Sequence, residues 1–261
     1  MPTARPKLRK REIALAVGVG ALAAGGAALI LAEDDGPAPL MVAAAPQTYE
    51  VESFEEISTV GPQDIVITRG DAYQVRSEGS PEALGLLEVV VDDGELIIRP
   101  KGDYGLGFDW DRLSSAKFHV TMPRLQQLSV AGSGNVTVDR VEGDDFSANI
   151  AGSATLAIAA LAVDEANFRI GGSGNVVAAG TAREANVSIG GSGEVQADKL
   201  SVETAEVSIA GSGDVALTVQ EEADISIMGS GDADISGPAR CSVSRMGSGN
   251  VRCAGGGGDA S

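Results

Sequence analysis

Aromatic residues make up only 3% of this chain, and histidine occurs once, at His119. So few rings exclude a thick core built on Phe, Tyr and Trp and leave a thin one of Val, Ile and Ala. One histidine excludes any centre that needs several imidazole ligands. His119 alternates with Phe118 and Val120 and therefore points outward. Basic residues are scarce as well, 19 against 37 acidic ones. Five of the bases and one of the acids precede Ile13, so the rest of the chain carries 36 acids against 14 bases, about −22. Such a surface repels phosphate backbones and anionic headgroups, which excludes nucleic acid and anionic lipid as electrostatic partners.

What the chain does have is a tripeptide, Gly-Ser-Gly, that returns through its second half. The copies begin at Gly132, Gly152, Gly172, Gly191, Gly211, Gly229 and Gly247, at intervals of 20, 20, 19, 20, 18 and 18 residues. A fixed period of this size signals a solenoid. Four and two residues before the first Gly lie apolar pairs: Leu128 and Val130, Ala148 and Ile150, Phe168 and Ile170, Val187 and Ile189, Val207 and Ile209, Ile225 and Ile227. Between them stand Ser129, Asn149, Arg169, Ser188, Ser208, Ser226 and Ser244, the period of two that a strand with one buried face requires. Past the turn the alternation resumes at Val136 and Val138, Leu156 and Ile158, Val176 and Ala178, Val195 and Ala197, Val215 and Leu217, Ala233 and Ile235. Each copy reads as strand, tight turn, strand. The pattern predicts an all-β fold: a parallel β-helix, or β-solenoid, of about seven coils, with two parallel sheets whose apolar faces meet. Glycine at the turn supplies positive φ and close backbone approach. Only the first Gly is invariant, because Ala154 replaces the second once.

The start of the chain is different. Arg5, Lys7, Arg9, Lys10 and Arg11 precede an uncharged run from Ile13 to Ala32. Twenty residues of helix span roughly 30 Å, one hydrocarbon core. The basic flank stays in the cytoplasm, so the chain beyond Ala32 is exported. Residues 1–32 are either a retained membrane anchor or a cleaved signal peptide. Residues 33–47, acidic and rich in Ala and Pro, read as a linker. Residues 48–127 contain short alternating runs (54–60, 64–69, 72–77, 87–91, 95–99 and 116–122) that predict strands capping one end of the solenoid. Asp92-Asp93-Gly94 is expected to form a three-residue hairpin loop. The solenoid covers 128–253, and 254–261 form a flexible Gly-rich tail.

The run "FEEISTVGPQDIVITRG", the hairpin "LEVVVDDGELIIRP", the segment "MPRLQQLSVAGSGNV" and the series of GSG turns together resemble the head GIN domain family of autotransporter adhesins, bacterial envelope proteins. The resemblance covers about residues 50–253. It implies a β-solenoid similar to the pectin lyase class without that class's catalytic residues, and a role in adhesion. It carries over no active site, since the family pattern defines none.

Two functions stand as expectations. The first is a non-enzymatic envelope protein, in the periplasm or at the cell surface, that presents its solenoid to a polysaccharide or another surface protein. The other is a carbohydrate-active lyase or hydrolase on a β-helix, an architecture that hosts such enzymes. Against the second, the acids are spread by the repeat rather than gathered in a cleft. No catalytic residue and no cofactor is expected. Three candidate features remain. Three residues after each first Gly stand Asn135, Thr155, Asn175, Glu194, Asp214, Asp232 and Asn250, and the consecutive acids Glu194, Asp214 and Asp232 are a weak candidate cation site in a chain where none is expected. The repeat resembles the Gly-rich calcium-binding nonapeptide, but apolar residues such as Val195 and Val215 hold its ligand position. Tyr104, Phe108 and the single Trp110 lie in a Gly-rich loop, either as a sugar-stacking platform or as a cover over the end of the core. Cys241 and Cys253 occupy inward columns on the two sides of one turn, which in an exported protein predicts a disulfide. The alternative is two buried thiols.

Overall fold

The structure, a computed structural model, describes residues 46–102 and 109–255 in full and 257–260 as backbone. The apolar run 13–32, most of the linker 33–47, and Tyr104 and Phe108 lie outside the described residues. No helix among the described residues is long and apolar enough to cross a membrane.

The first part of the chain forms β1 (Gln47–Tyr49), β2 (Glu56–Gly61), β3 (Asp64–Arg69), β4 (Gln74–Glu78), the short helix α1 (Pro81–Gly85), β5 (Leu87–Asp92), β6 (Glu95–Pro100) and β7 (Lys117–Met122). Ser80 caps α1 by accepting the Ala83 N–H, and Pro81, which has no N–H to satisfy, starts it. Next come β8 (Gln127–Gly132) and β9 (Asn135–Val138) on either side of the first GSG turn. The long strands β10 (Val141–Gly152), β11 (Thr155–Gly172), β12 (Asn175–Gly191), β13 (Glu194–Gly211) and β14 (Asp214–Gly229) come after them. The chain ends in β15 (Ala233–Ser236), β16 (Arg240–Gly247), β17 (Val251–Cys253) and β18 (Gly257–Ala260).

From β8 onward each coil pairs in parallel with the next, and equivalent repeat positions meet: Ile150 with Ile170, Ile170 with Ile189, Ile189 with Ile209, Ile209 with Ile227. The result is a parallel β-solenoid of about six turns. Each of these isoleucines is at most 3% exposed, a burial worth about 2 kcal/mol per side chain. Phe146 and Phe168 add an edge-on ring pair with centroids 6.4 Å apart.

The coil of β11 has three inward runs rather than the two expected. In β11 these are Leu156 and Ile158, then Leu161 and Val163, then Ala166, Phe168 and Ile170. The pairing register shifts at a bulge between Ile158 and Leu161, and the inward phase changes again between Val163 and Ala166 with the register kept. The middle run places only two apolar residues inward, too short a stretch for alternation to reveal it.

The region before β8 does more than cover an end. Strand β2 lies in parallel between β6 and β8, and β3 between β7 and β9. It therefore supplies two coils of the stack, and Gly61 sits in register with Gly132. The turn Gly61-Pro62-Gln63 is an eighth member of the column. Gln63 stands where the other turns have their second Gly, or Ala154 in one, and is buried, its Nε2 donating to Thr59 Oγ1 at 2.7 Å and to the Val60 carbonyl at 3.0 Å. Beyond these coils β5 pairs antiparallel with β6, β4 with β7 and β1 with β4, which closes the edge. The β5–β6 loop has two residues, not three. Asp92 joins the ladder opposite Glu95, and Asp93 and Gly94 take φ values of 49° and 84°, as a two-residue hairpin turn with both φ positive requires.

The first glycine of each turn is obligatory for a reason visible in the backbone. From Gly132 to Gly247 its φ lies between 123° and 149°. A Cβ there would stand 1.9–2.5 Å from the carbonyl oxygen of the turn before. That close approach lets each turn's Ser N–H reach the same carbonyl, from Ser153 to Gly132 at 2.9 Å through Ser248 to Gly229 at 2.9 Å.

Candidate functional site

The strands that lead into the turns face solvent with small residues. Ser58, Ser129, Asn149, Arg169 and Ser188 are paired in one column across five coils, about 19 Å from first to last at a strand spacing near 4.8 Å. Between this column and the turns lie Ala131, Ala151, Gly171 and Gly190, whose lack of bulk leaves a shallow concavity of about 350 Å³. Arg169 is the single charged residue of its lining, which contains no carboxylate. Its guanidinium reaches only Ser147 Oγ, at 3.5 Å, and forms no ion pair with the described residues. The polar column was legible in the sequence; the groove was not. Its signal is the residue just before the first Gly, which is Ala or Gly in Ala131, Ala151, Gly171, Gly190 and Ala210 and then changes to Met228 and Met246, both largely exposed.

The column after the turns is a hydrogen-bonding feature. Asp64 Oδ1 accepts the Asn135 N–H at 3.0 Å, Asp214 Oδ1 the Asp232 N–H at 2.9 Å, and Asp232 Oδ1 the Asn250 N–H at 2.7 Å. In the intervening coils a turn carbonyl does this work: Ala154 accepts from Asn175, Gly174 from Glu194 and Gly193 from Asp214. Thus Asp214 and Asp232 tie one coil to the next through backbone donors. No group of three or more His, Cys, Asp or Glu that could hold a metal ion occurs among the described residues.

Of the three aromatics singled out in the Gly-rich loop, Trp110 is described. It opens a turn of 3-10 helix, Trp110–Leu113, and is half-buried against the core rather than lining the groove. Cys241, on β16, and Cys253, on β17, form a disulfide with Cα atoms 6.4 Å apart. The facing strands of the last coil thus approach well inside the roughly 10 Å of ordinary sheet packing. His119 is part-exposed with Nε2 3.7 Å from Glu78. At the corner away from the GSG turns, Arg69 and Arg140 both pair with Glu142, and Arg124 pairs with Asp144 at 3.3 Å. The Arg140 hydrogen bond holds the Glu142 carboxyl below its ordinary value, helped by the charge of Arg69 and opposed by desolvation.

A family profile described as "Putative auto-transporter adhesin, head GIN domain" matches residues 53–239. A search of curated proteins returns no match. Among solved structures, one of a putative adhesin from Bacteroides fragilis is 23% identical, covers 79% of this chain and 95% of its own, and superposes with a TM-score of 0.72. A structure of a putative lipid binding protein from Parabacteroides distasonis is 24% identical, with coverage of 80% and 96% and a TM-score of 0.64. A putative adhesin from Parabacteroides merdae is 19% identical, with coverage of 79% and 94% and a TM-score of 0.61. These likenesses establish a shared fold.

Proposed function

The chain belongs to the head GIN domain family, and from that membership we propose that it is an exported, non-enzymatic binding protein of the bacterial cell envelope. It presents its solenoid to a polysaccharide at the cell surface or in the periplasm, with the apolar run 13–32 holding it at the membrane where that run is not cleaved. The observation that carries this reading is the groove over five coils, whose Ser, Asn and Arg side chains offer hydrogen bonds to sugar hydroxyls along a line. Glycoside hydrolysis in most families needs two carboxyl groups flanking the scissile bond, and the groove has none. Without stacked aromatics each contact is weak, so adhesion rests on many copies engaging one polymer.

The test is a polysaccharide array probed with the exported chain displayed in many copies, together with assays for new reducing ends and unsaturated uronates. Binding without turnover is expected, and Arg169→Ala should weaken it at least tenfold while leaving the melting temperature unchanged. Reproducible turnover, or binding indifferent to Arg169→Ala, would overturn this assignment.

A further inference from the structure

In an acidic chain, one side chain of the groove stands in an uncharged zone. Arg169, on β11, faces solvent, and Asn149 and Ser188 are in register with it on the adjoining coils. Two residues back the column reads Ser147, Asn167, Asn186, and two residues on it reads Ala151, Gly171, Gly190. Acids return to the first of these columns only at Glu206, two coils later, and at Glu56, three coils earlier. Along β11 the nearest acid is Glu165, whose Oε1 accepts from the side-chain amides of Asn167 and Asn186 at 2.8 and 3.3 Å. Six other arginines of the described chain, Arg69, Arg99, Arg112, Arg124, Arg140 and Arg252, stand in ion pairs. Arg169 does not, and of the described arginines it is the one that lines the concavity.

We infer that the polysaccharide this groove takes is acidic, and that Arg169 pairs with an anionic group, a carboxylate or a sulfate ester, on one of its sugars. This rests on the reading of the groove as a polysaccharide site. A guanidinium presents its donors as a planar fork that two oxygens of such a group match. No ion pair within the protein has to break first. The single charge in a run of about 19 Å also sets how acidic the polymer is. An acid on every sugar would carry further anions toward Glu206 and over a surface that repels them. The groove therefore fits a heteropolysaccharide in which one acidic sugar is spaced by several neutral ones, whose hydroxyls meet Ser58, Ser129, Asn149 and Ser188.

The test is a polysaccharide array in which each acidic member is printed beside its carboxyl-reduced or desulfated form, together with a polyuronate acidic at every sugar. The full chain, displayed in many copies, is expected to hold sparsely acidic members and to lose at least tenfold when the acidic group is removed; which treatment causes the loss tells carboxylate from sulfate. Arg169→Gln, which keeps a donor and loses the charge, is expected to bind the acidic and neutralised forms alike. Equal binding of both forms by the wild type, continued discrimination by Arg169→Gln, or tightest binding to the polyuronate overturns the inference. Each of these leaves the groove a polysaccharide site so long as Arg169→Ala still weakens binding, whereas an array on which no polymer is held overturns both readings.

Discussion

Single residues in this protein act through the coil next to them. The first Gly of each turn is the clearest case. At Gly211 a methyl group would stand 2.1 Å from the Gly191 oxygen on a backbone of φ 137°, so Gly211→Ala should cost on the order of 3 kcal/mol. Ala154→Gly, in the one GSG-type turn whose third residue already carries a Cβ, should cost only about 1 kcal/mol; chemical denaturation of both variants measures the contrast, and equal losses would contradict the crowding account. Glu142 belongs to the same scale. Its carboxyl is held below the ordinary 4.5 in the fold by Arg140, with Arg69 assisting. The ionised form is therefore favoured by folding. Its contribution is fully present above pH 4.5 and is lost as pH falls through the lowered folded value. The melting-temperature gap between wild type and Glu142→Gln should be constant from pH 7 to about 5 and close in more acidic buffer; a gap that persists unchanged there would refute the assignment.

Among the elements, the sequence made some visible and hid others for reasons that can be stated. The strands beside each GSG turn were legible because Ile150, Ile170, Ile189, Ile209 and Ile227 recur at one phase and stack on one another. The coil of β2 and β3 was hidden because its turn, Gly61-Pro62-Gln63, keeps only the Gly, and because chain order does not reveal that β2 lies between β6 and β8. The groove was illegible because it consists of missing bulk, Ala and Gly where nothing distinguishes an open face from a covered one. The last coil rests on β16 and β17, tied together by Cys241–Cys253 across a separation of 12 residues. A bridge over so short a loop stabilises by about 3 kcal/mol in the chain-entropy model. Unreduced, denatured protein recovered from the periplasm should show no thiol available to alkylation. Cys241→Ala with Cys253→Ala should speed amide exchange in residues 240–253 while leaving β10 to β12 as protected as before; two labelled thiols, or exchange that rises evenly along the stack, would count against this local role.

The whole molecule is long-range in sequence and short-range in space: coils touch their neighbours, and antiparallel strands close the N-terminal end. Its excess of 36 acids over 14 bases beyond residue 12 is distributed by the repeat, so the surface repels other anions without forming one strong centre. Along the outward column the same chemistry recurs at each step of about 4.8 Å. Under the proposed function, a polysaccharide lying along such a column would meet nearly the same surface after a shift of one coil, so its bound state would comprise several offsets of similar energy, and multiplicity itself would favour binding. Sliding would then be cheaper than release, and a stretched tether would creep before it detached. Arg169 interrupts the monotony between Asn149 and Ser188. On an otherwise uniform scale it marks the zero, and a polymer that engages it acquires a preferred position.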